Sequence, residues 1–314
     1  MSNTQTILGS GGAIGAPLAA ELKKYTDAIR LVSRKPERVN PDDELLAADL
    51  SQSSELDKAV AGSATVYVTI GFPYSYKAWQ KLWPPFMENL IEACSKYDAR
   101  LVFFDNMYMY DPAYLGNMTE NTPFGPVSKK GRVRAAVVQQ IMEAVERGRI
   151  KALIARSADF YGPGITQNSM LNELVIKNLS KGKKANWLGP LEYRHSFTYT
   201  PDAAKATAVL GNTAEAYDQT WHLPTAEDPP TADRWVAMTA ELLKAQPRCQ
   251  TLPPWLVSAI GIFVPVLKEI REMMYQYQRD YVFSSAKFNR LFEFTTTSYR
   301  DGLGEVIKSD YPTH

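Results

Sequence analysis

The chain has 314 residues, of which 45% are hydrophobic and 22% charged, and its formal net charge is +1. This composition is typical of an ordinary globular protein and excludes a disordered chain. The nearly neutral charge excludes the electrostatic footprint of a protein that binds nucleic acid or an anionic membrane, and the basic cluster at 181–184 is interpreted as a solvated turn.

Short apolar runs alternate with segments of helical periodicity through much of the chain. The runs predict strands at 4–8, 28–32, 45–48, 65–70, 101–104, 152–155 and 220–223. The helical segments are 17–25, 54–61, 79–97, 133–147, 170–181 and 202–210. Strands joined by right-handed helical crossovers pair in parallel, so the sequence predicts an α/β fold with a Rossmann-type, doubly wound parallel sheet.

Strict alternation stops near residue 164, and Pro-rich turns follow. We therefore predict an NAD(P)-binding Rossmann domain at 1–163 and a smaller C-terminal substrate lobe at 164–314 that is interleaved with the last strands of the sheet. The nearly uncharged run 255–267 lies in this lobe. It is shorter than the about 20 residues that a membrane-spanning helix needs, so it is interpreted as a buried or pocket-lining helix.

The turn after the first predicted strand carries glycines at three-residue spacing. Such a turn lets the backbone approach a pyrophosphate, and the following helix presents unpaired N–H groups to it. The preceding strand and the following helix give the motif its specificity. The residues predicted to hold the phosphates of a dinucleotide are Gly9, Gly12, Ala13, Ile14 and Gly15.

The end of the second predicted strand indicates which dinucleotide is bound. The chain has Ser33 and Arg34 there and no acidic residue. An acidic side chain would bind the ribose 2′-hydroxyl of NAD, whereas Ser and Arg can bind the 2′-phosphate of NADP, so NADP is predicted in preference to NAD. Further cofactor contacts are assigned by their position at the ends of the third and fourth strands, namely Asp49, Leu50, Thr69 and Gly71.

Several short motifs follow one another along nearly the whole chain. They are GSGGAIG at 9–15, DL at 49–50, LVFFDNMYMY at 101–110, RSADFYGPG at 156–164, HSFTYTPD at 195–202 and SAK at 285–287. In this order they resemble the extended short-chain dehydrogenases/reductases, and in particular the atypical members described as NAD-dependent epimerase/dehydratase-like or NmrA-like. The resemblance implies the doubly wound sheet, an NAD(P) cofactor and, since the family often pairs through a helix bundle, a homodimer.

The resemblance also implies a Ser or Thr after the fifth strand and a Tyr-x-x-x-Lys motif, whose Tyr exchanges a proton and whose Lys lowers the pKa of that Tyr and holds the ribose. The chain departs from this pattern. Asn106 stands at the Ser/Thr position, and Gly125 or Pro126 stands four residues before the lysines. Lys129 and Lys130 are retained, and we assign Lys129 to the cofactor and Lys130 to proton handling.

Tyr108 is the predicted replacement for the missing phenol. If 106–110 continues in extended form, alternation puts Asn106, Tyr108 and Tyr110 on one side. A tyrosine with a pKa of about 10 needs a nearby cation to work at neutral pH, and Lys130 or Lys129 is available, with Lys130 assigned to this role. Asn106 would orient a substrate carbonyl through its amide. The alternative is that the two tyrosines only pack at the rim of the site.

Two further side chains bear on the substrate. Arg134 is expected to pair with Asp105 or with an acidic ligand. Sugar-nucleotide members of the family hold the nucleotide phosphates through the Arg of an Arg-Asp-Phe segment, which here reads His195-Ser196-Phe197, with Arg194 one place earlier. A UDP- or dTDP-sugar is therefore disfavoured.

Aromatic residues around the candidate site instead indicate a largely apolar or planar small molecule, with an ordinary aromatic core as the alternative. They are Phe72, Tyr74, Tyr76, Trp79, Trp83, Phe160, Tyr161 and Trp187.

The cysteines and the N-terminus bear on the compartment. Cys94 and Cys249 form no Cys-x-x-Cys pair, which argues against a disulfide framework or a zinc site and favours a reducing compartment. The first predicted strand begins within a few residues of Met1, which leaves no room for a signal peptide. We therefore expect a cytoplasmic protein without a metal, a nucleic acid partner or a membrane partner.

Two functional hypotheses follow from these patterns. The first is an NAD(P)-binding oxidoreductase or epimerase-like enzyme that uses NADPH to reduce a carbonyl or enone of a small molecule, with Tyr108, Lys130 and Asn106 as catalytic residues. The second is a non-catalytic NADP-binding sensor or regulatory protein, which the broken Tyr-x-x-x-Lys motif permits. Retention of the substrate lobe favours the enzyme.

Overall fold

The computed structural model describes residues 3–253, 255, 257–258, 261 and 265–312. The chain divides into two compact units. Unit 1 comprises Met1–Met109, Lys129–Arg156 and Ala203–Leu223, and unit 2 comprises Tyr110–Ser128, Ser157–Asp202 and Pro224–His314. The sequence prediction places one boundary between residues 163 and 164, whereas the segments of the two units alternate along the chain.

Unit 1 is built on one parallel sheet. Its strands are β1 (Thr4–Leu8), β2 (Ile29–Ser33), β3 (Glu44–Ala47), β4 (Ser63–Val68), β5 (Arg100–Asp105), β6 (Ala152–Arg156) and β10 (Thr220–His222). They pair in the order β10-β6-β5-β4-β1-β2-β3, and every pairing is parallel. The predicted strands and the Rossmann-type, doubly wound sheet are therefore confirmed, with bounds that shift by no more than two residues.

The helices of unit 1 follow from the apolar periodicity between the strands. They are α1 (Gly15–Leu22), α2 (Ser53–Val60), α3 (Tyr76–Tyr97), α4 (Lys129–Glu146) and α6 (Thr200–Gly211), of which the part from Ala203 belongs to this unit. α3 buries Trp79, Trp83, Met87 and Leu90, which recur at helical spacing, and it packs against α4. α4 begins four residues before its predicted start, so both lysines lie in its first turn.

β1 marks the point at which the order of the strands reverses. It lies between β2 and β4, with Leu8 opposite both Val32 and Val68. β5 follows β4 on the same side, with Phe103 opposite Val68. The turns that leave β1, β2, β4 and β5 therefore emerge at one edge of the sheet. Open α/β sheets bind ligands at the carboxyl ends of their strands near such a switch point.

Unit 2 contains short parallel strand pairs and helices. β7 (Asp159–Tyr161) pairs with β9 (Phe197–Tyr199), and β8 (Ala185–Trp187) pairs with β11 (Cys249–Thr251). The predicted helix 170–181 is a π-helical segment, Leu171–Ile176, followed by α5 (Lys177–Ser180). The other helices of the described part are α7 (Ala232–Leu242), α8 (Pro265–Arg271), α9 (Ala286–Leu291) and α10 (Tyr299–Asp310).

The predicted helix 255–267 lies only partly in the described residues, because 256, 259–260 and 262–264 are outside them. Within the described part of the run, Trp255 is exposed and Val257 is buried in the core of unit 2. Among the helices of the described residues, none combines the length and the apolar character that crossing a membrane requires.

A buried ion triad joins β5, β6 and α4. One carboxylate oxygen of Asp105 accepts hydrogen bonds from Nε (2.9 Å) and Nη2 of Arg134, and the other lies 3.3 and 3.2 Å from Nε and Nη2 of Arg156. All three side chains are almost inaccessible to solvent. The Arg134 guanidinium also lies over the rings of Trp83 and Phe103, 4.4 and 4.7 Å from their centroids. The expected pairing of Arg134 with Asp105 is confirmed.

The Asp105→Asn substitution leaves two buried guanidinium groups without their carboxylate. We expect the free energy of unfolding to fall by about 3–5 kcal/mol, measured by urea denaturation. The control is Glu143→Gln on α4, whose partner Arg147 lies 3.7 Å away at the surface, and we expect it to change stability by less than about 0.5 kcal/mol. Equal, small losses in both variants would show that the triad does not hold these elements together.

Candidate active site

The turn between β1 and α1 is closed by two glycines that the protein itself requires. Gly9 has φ +101°, and a Cβ there would lie 2.5 Å from the backbone nitrogen of Ile70, at the end of β4. A Cβ on Gly15 would lie 2.6 Å from the carbonyl oxygen of Gly9. The Thr69 hydroxyl donates to the carbonyl oxygens of Leu8 (3.3 Å) and Gly9 (3.2 Å). The glycine turn therefore packs directly against the turn after β4.

Gly12 is different, because the packing of the protein does not require a glycine there. A Cβ on Gly12 would meet its nearest atom at 3.5 Å, an ordinary contact, and a Cβ on Gly71 would meet nothing within 4 Å. No side chain caps the N-terminus of α1 at Ile14, and Ser10 carries a buried hydroxyl without a partner in the described residues. An open backbone face, uncapped N–H groups and a spare hydroxyl suit a pyrophosphate.

The ends of β2 and β3 form the other part of the predicted cofactor site. The Ser33 hydroxyl is buried without a partner in the described residues, and Arg34 is exposed beside it. Leu50 is buried, and Asp49 is exposed. Hydrogen bonds from the Ser51 hydroxyl and amide lower the pKa of Asp49, burial opposes them weakly, and the Arg34 charge adds to the lowering. Arg34 and the Asp49 carboxylate are thus close enough to interact electrostatically.

The predicted extended course of 106–110 is wrong. The chain turns at 107–109, because the Tyr108 amide donates to Oδ1 of Asn106 (3.0 Å). Asparagine often closes such a turn by accepting a hydrogen bond from the backbone two residues on. Strand alternation therefore does not apply across 106–110, and Tyr110 belongs to unit 2, where it is buried against the ring of Phe124.

Tyr108 nevertheless lies beside a second phenol, and that phenol contacts a cation. Its hydroxyl is 3.4 Å from that of Tyr74, and its ring stacks on Trp79 with centroids 6.1 Å apart. Lys130 is fully buried, and its Nζ lies 4.7 Å from the centroid of the Tyr74 ring. The tertiary structure therefore brings Tyr74, Tyr108 and Lys130 together at the carboxyl ends of β4 and β5.

Tyr74 is the group that the sequence analysis did not assign to proton handling. The sequence carried one indication of it, because Tyr74 follows β4 closely and so comes to the edge where β5 also ends. Lys129 faces a different direction from Lys130, since adjacent residues of a helix lie about 100° apart around its axis. It is exposed, and its Nζ lies 5.3 Å from the centroid of the Tyr76 ring.

Within unit 2, Arg194 and His195 are each engaged by an acidic side chain. Nε and Nη2 of Arg194 bind Oδ2 of Asp280 at 2.9 and 2.6 Å. His195 is buried, lies 3.1 Å from Oδ2 of Asp159, and stacks between Tyr277 and Tyr281.

Three of the predicted pocket aromatics lie in the hydrophobic cores of the two units. These fully or almost fully buried side chains are Trp83 in unit 1 and Tyr161 and Trp187 in unit 2. Among the described residues, no group of three or more His, Cys, Asp or Glu side chains could hold a metal ion.

The sequence model of the NAD dependent epimerase/dehydratase family matches residues 6–221, which is more than half of the chain. The chain belongs to this family. Within it, this member has Gly125 or Pro126 at the usual position of the tyrosine, and it has the Tyr74, Tyr108 and Lys130 cluster at the same edge of the sheet.

A curated relative of this family member is the dTDP-6-deoxy-L-talose 4-dehydrogenase (NAD(P)(+)) of Kitasatospora kifunensis. The two sequences are 28% identical over 184 residues, which is 54% of this chain and 57% of that enzyme. The chain therefore matches little more than half of the length of that relative.

Solved structures of epimerases share the fold of this family member. The UDP-glucose 4-epimerase of Thermus thermophilus in complex with NAD superposes with a TM-score of 0.79 at 15% identity, over 98% of both chains. The UDP-glucuronic acid 4-epimerase of Bacillus cereus in complex with NAD gives a TM-score of 0.78 at 16% identity, also over 98% of both chains. At these identities the likeness establishes the fold alone.

The packing of the turn requires a glycine at position 15 but not at position 12, and this difference can be tested by stability and by cofactor binding. Gly15→Ala pushes a Cβ into the turn backbone, so we expect a loss of about 1–3 kcal/mol in the free energy of unfolding. Gly12→Ala has room in the protein and should change stability by less than about 0.5 kcal/mol. It should nevertheless weaken NADPH binding by about tenfold or more, because the Cβ occupies the face that a pyrophosphate needs. Wild-type affinity in Gly12→Ala, measured by fluorescence titration, would contradict the assignment of Gly12.

Proposed function

We propose that this protein binds NADP and reduces the carbonyl or enone of a small organic molecule. One observation carries the proposal: the fully buried Lys130 lies over the Tyr74 ring and the Tyr74 hydroxyl lies 3.4 Å from that of Tyr108, at the sheet edge that also carries the glycine turn. A buried ammonium next to paired phenols is an arrangement that favours proton transfer near neutral pH. It supplies what the missing Tyr of the Tyr-x-x-x-Lys motif would otherwise provide.

The cofactor site supports NADP through its polar groups. Gly12 leaves an open face for the pyrophosphate, and Ser10 offers a buried hydroxyl near it. At the ribose end, the Ser33 hydroxyl and the Arg34 guanidinium suit a 2′-phosphate, because β2 ends without an acidic residue that would repel it. The epimerases named above were solved with NAD, and Asp49 lies near Arg34, so the preference for NADP needs a direct test.

The residues at the ends of β4 and β5 then have separate roles. When bound, the reduced nicotinamide supplies a hydride to the carbonyl carbon. Tyr108 donates its proton to the carbonyl oxygen, and the positive charge of Lys130 stabilises the resulting phenolate. Oδ1 of Asn106 is occupied by the Tyr108 amide, so its Nδ2 is the group that can donate to the substrate. The catalytic residues proposed are therefore Tyr108, Lys130 and Asn106.

The substrate class follows from what surrounds these groups in unit 1 and from the pairing of Arg194 in unit 2. The partly buried rings of Tyr74 and Tyr108, packed on Trp79, are aromatic, which favours a planar or largely apolar compound. The Arg194 guanidinium is already neutralised by Asp280, which weakens the case for a nucleotide diphosphate. Because the named relatives act on dTDP- or UDP-sugars, a sugar-nucleotide ketone belongs in the substrate panel.

A non-catalytic NADP sensor is the second candidate, and the absence of Tyr from the usual motif position favours it. It requires the cofactor site but no phenol chemistry. Tight NADPH binding without turnover of any aldehyde, quinone, enone or sugar-nucleotide ketone would favour the sensor over the reductase.

Arg34→Ala tests the cofactor preference. We expect the dissociation constant of NADPH to rise by about tenfold or more, because a charged hydrogen bond to the 2′-phosphate is lost. The constant for NADH should change by less than about twofold, since NADH has no such phosphate. Lys35→Ala is the neighbouring control, and fluorescence titration is the measurement. Tighter binding of NADH than of NADPH by the wild type would overturn the NADP proposal.

Tyr108→Phe tests the proton donor. We expect the single-turnover rate of NADPH oxidation to fall by about 10²-fold or more, because a general acid contributes about 10²–10⁴-fold. NADPH affinity should stay at the wild-type value, since the ring and its stacking on Trp79 are kept. Tyr25→Phe, at an exposed tyrosine, is the control. Full turnover in Tyr108→Phe would remove Tyr108 from the reaction.

A further inference from the structure

Tyr74 and Tyr108 form a phenol pair whose cation lies on the Tyr74 side. The two hydroxyl oxygens are 3.4 Å apart, so one hydroxyl can donate to the other. The Lys130 ammonium lies over the ring of Tyr74, 4.7 Å from its centroid. Tyr74 thus connects the buried cation to the proposed proton donor, although the two tyrosines are far apart in the sequence.

We propose that Tyr74 is a positioning residue that shares one negative charge with Tyr108, so that the pair, with Lys130, is the acid of the reaction. This inference rests on the proposed function. When Tyr108 gives up its proton, the Tyr74 hydroxyl donates to the Tyr108 oxygen, and the charge spread over both phenols faces one ammonium. Two acidic groups coupled in this way titrate in two steps whose apparent pKa values belong to the pair and not to either residue.

The rings of the pair are held by a common neighbour. Trp79 contacts Tyr74 edge to face at 5.7 Å and stacks on Tyr108 at 6.1 Å. Trp79 is itself buried on α3, one helical turn before the buried Trp83. Packing against Trp79 therefore fixes the rings of both tyrosines. The contact between their hydroxyls does not depend on a long, flexible side chain. Fixed donors stabilise a developing charge better than donors that must reorganise.

The proton balance of the step is complete. The substrate carbonyl carbon takes a hydride from the reduced nicotinamide, and the carbonyl oxygen takes the proton of Tyr108. The Tyr108 oxygen then takes the proton of Tyr74, and Tyr74, which is only partly buried, regains one from water. Carbonyl, NADPH and one proton from water give the alcohol and NADP, and Lys130 keeps its charge throughout.

Tyr97 provides a matched control in the same unit. Lys96 lies over its ring at 4.7 Å, the distance found for Lys130 and Tyr74, but its hydroxyl donates to the carboxylate of Asp57. Tyr97 ends α3, away from the β4 and β5 ends. Tyr97→Phe therefore removes a phenol beside an ammonium and leaves Tyr74 and Tyr108 unchanged.

The first test is a tyrosinate absorbance titration near 295 nm on the protein without cofactor. The chain has 17 tyrosines, so difference curves against single variants are needed. We expect one phenolate to appear before the others, and both Tyr74→Phe and Tyr108→Phe to move its appearance upward by about one pH unit or more. Tyr97→Phe should leave that early phase unchanged. If the early phase of tyrosinate formation is unchanged in Tyr74→Phe, the two tyrosines do not share one negative charge.

The second test measures the pH dependence of single-turnover NADPH oxidation. Tyr74→Phe keeps the ring over which Lys130 lies and removes only the hydroxyl, so we expect a rate loss of about tenfold or more at neutral pH and a shifted pH profile. The Lys130→Met variant and the Lys130→Met, Tyr74→Phe double variant should have about the same rate, because the effects of residues that act as one unit are not additive. An unchanged rate and pH profile in Tyr74→Phe, with Tyr108→Phe inactive, would refute the pair and leave the proposed function intact.

An inactive wild type would refute the proposed function instead. The absorbance titration would then decide the phenol pair by itself, because it needs neither cofactor nor substrate. An early phase lost in both Tyr74→Phe and Tyr108→Phe would support the shared charge, and its absence from the wild type would refute it.

Discussion

The buried contact of Asp105 with two arginines is the constraint on which the geometry of the candidate site depends. Arg134 lies one helical turn after Lys130 on α4, so fixing its guanidinium against the end of β5 also fixes Lys130 at that edge. Arg156 holds the other oxygen of the carboxylate from the next strand. Since an isolated buried charge is costly, none of the three side chains can be changed without moving the others.

Aromatic packing extends that constraint to the phenols. Arg134 lies over Trp83 and Phe103, and the Trp79 ring, one turn earlier on α3, contacts Tyr74 and Tyr108. The site at the ends of β4 and β5 is therefore an extension of the core between α3, α4 and the sheet. In the proposed reaction, the phenols and Lys130 compensate for the tyrosine that the usual family motif would supply shortly before α4.

The glycine turn shows how one motif can combine structural and ligand requirements. Gly9 and Gly15 are glycines because backbone atoms lie where a side chain would go, whereas nothing in the described part of the protein demands a glycine at position 12. The turn lies at the switch point between β1 and β4, where helix N–H groups and strand ends converge. The part of the surface that suits a dinucleotide has two features. Gly12 leaves an open backbone face, and the hydroxyls of Ser10 and Ser33 have no partner among the described residues.

The sequence by itself determined the seven parallel strands, the helices between them and the glycine turn, because the apolar period and the turn glycines are local properties. It left the partner of Arg134 open and missed the turn at 107–109, since an Asn106 side-chain hydrogen bond overrides strand alternation there. Only the tertiary structure brought Tyr74 to Tyr108 and Lys130. Tyr74 comes from the crossover between β4 and β5, whereas Tyr108 and Lys130 come from the next one, so their placement depends on how α3 and α4 pack on the sheet, which no local pattern encodes.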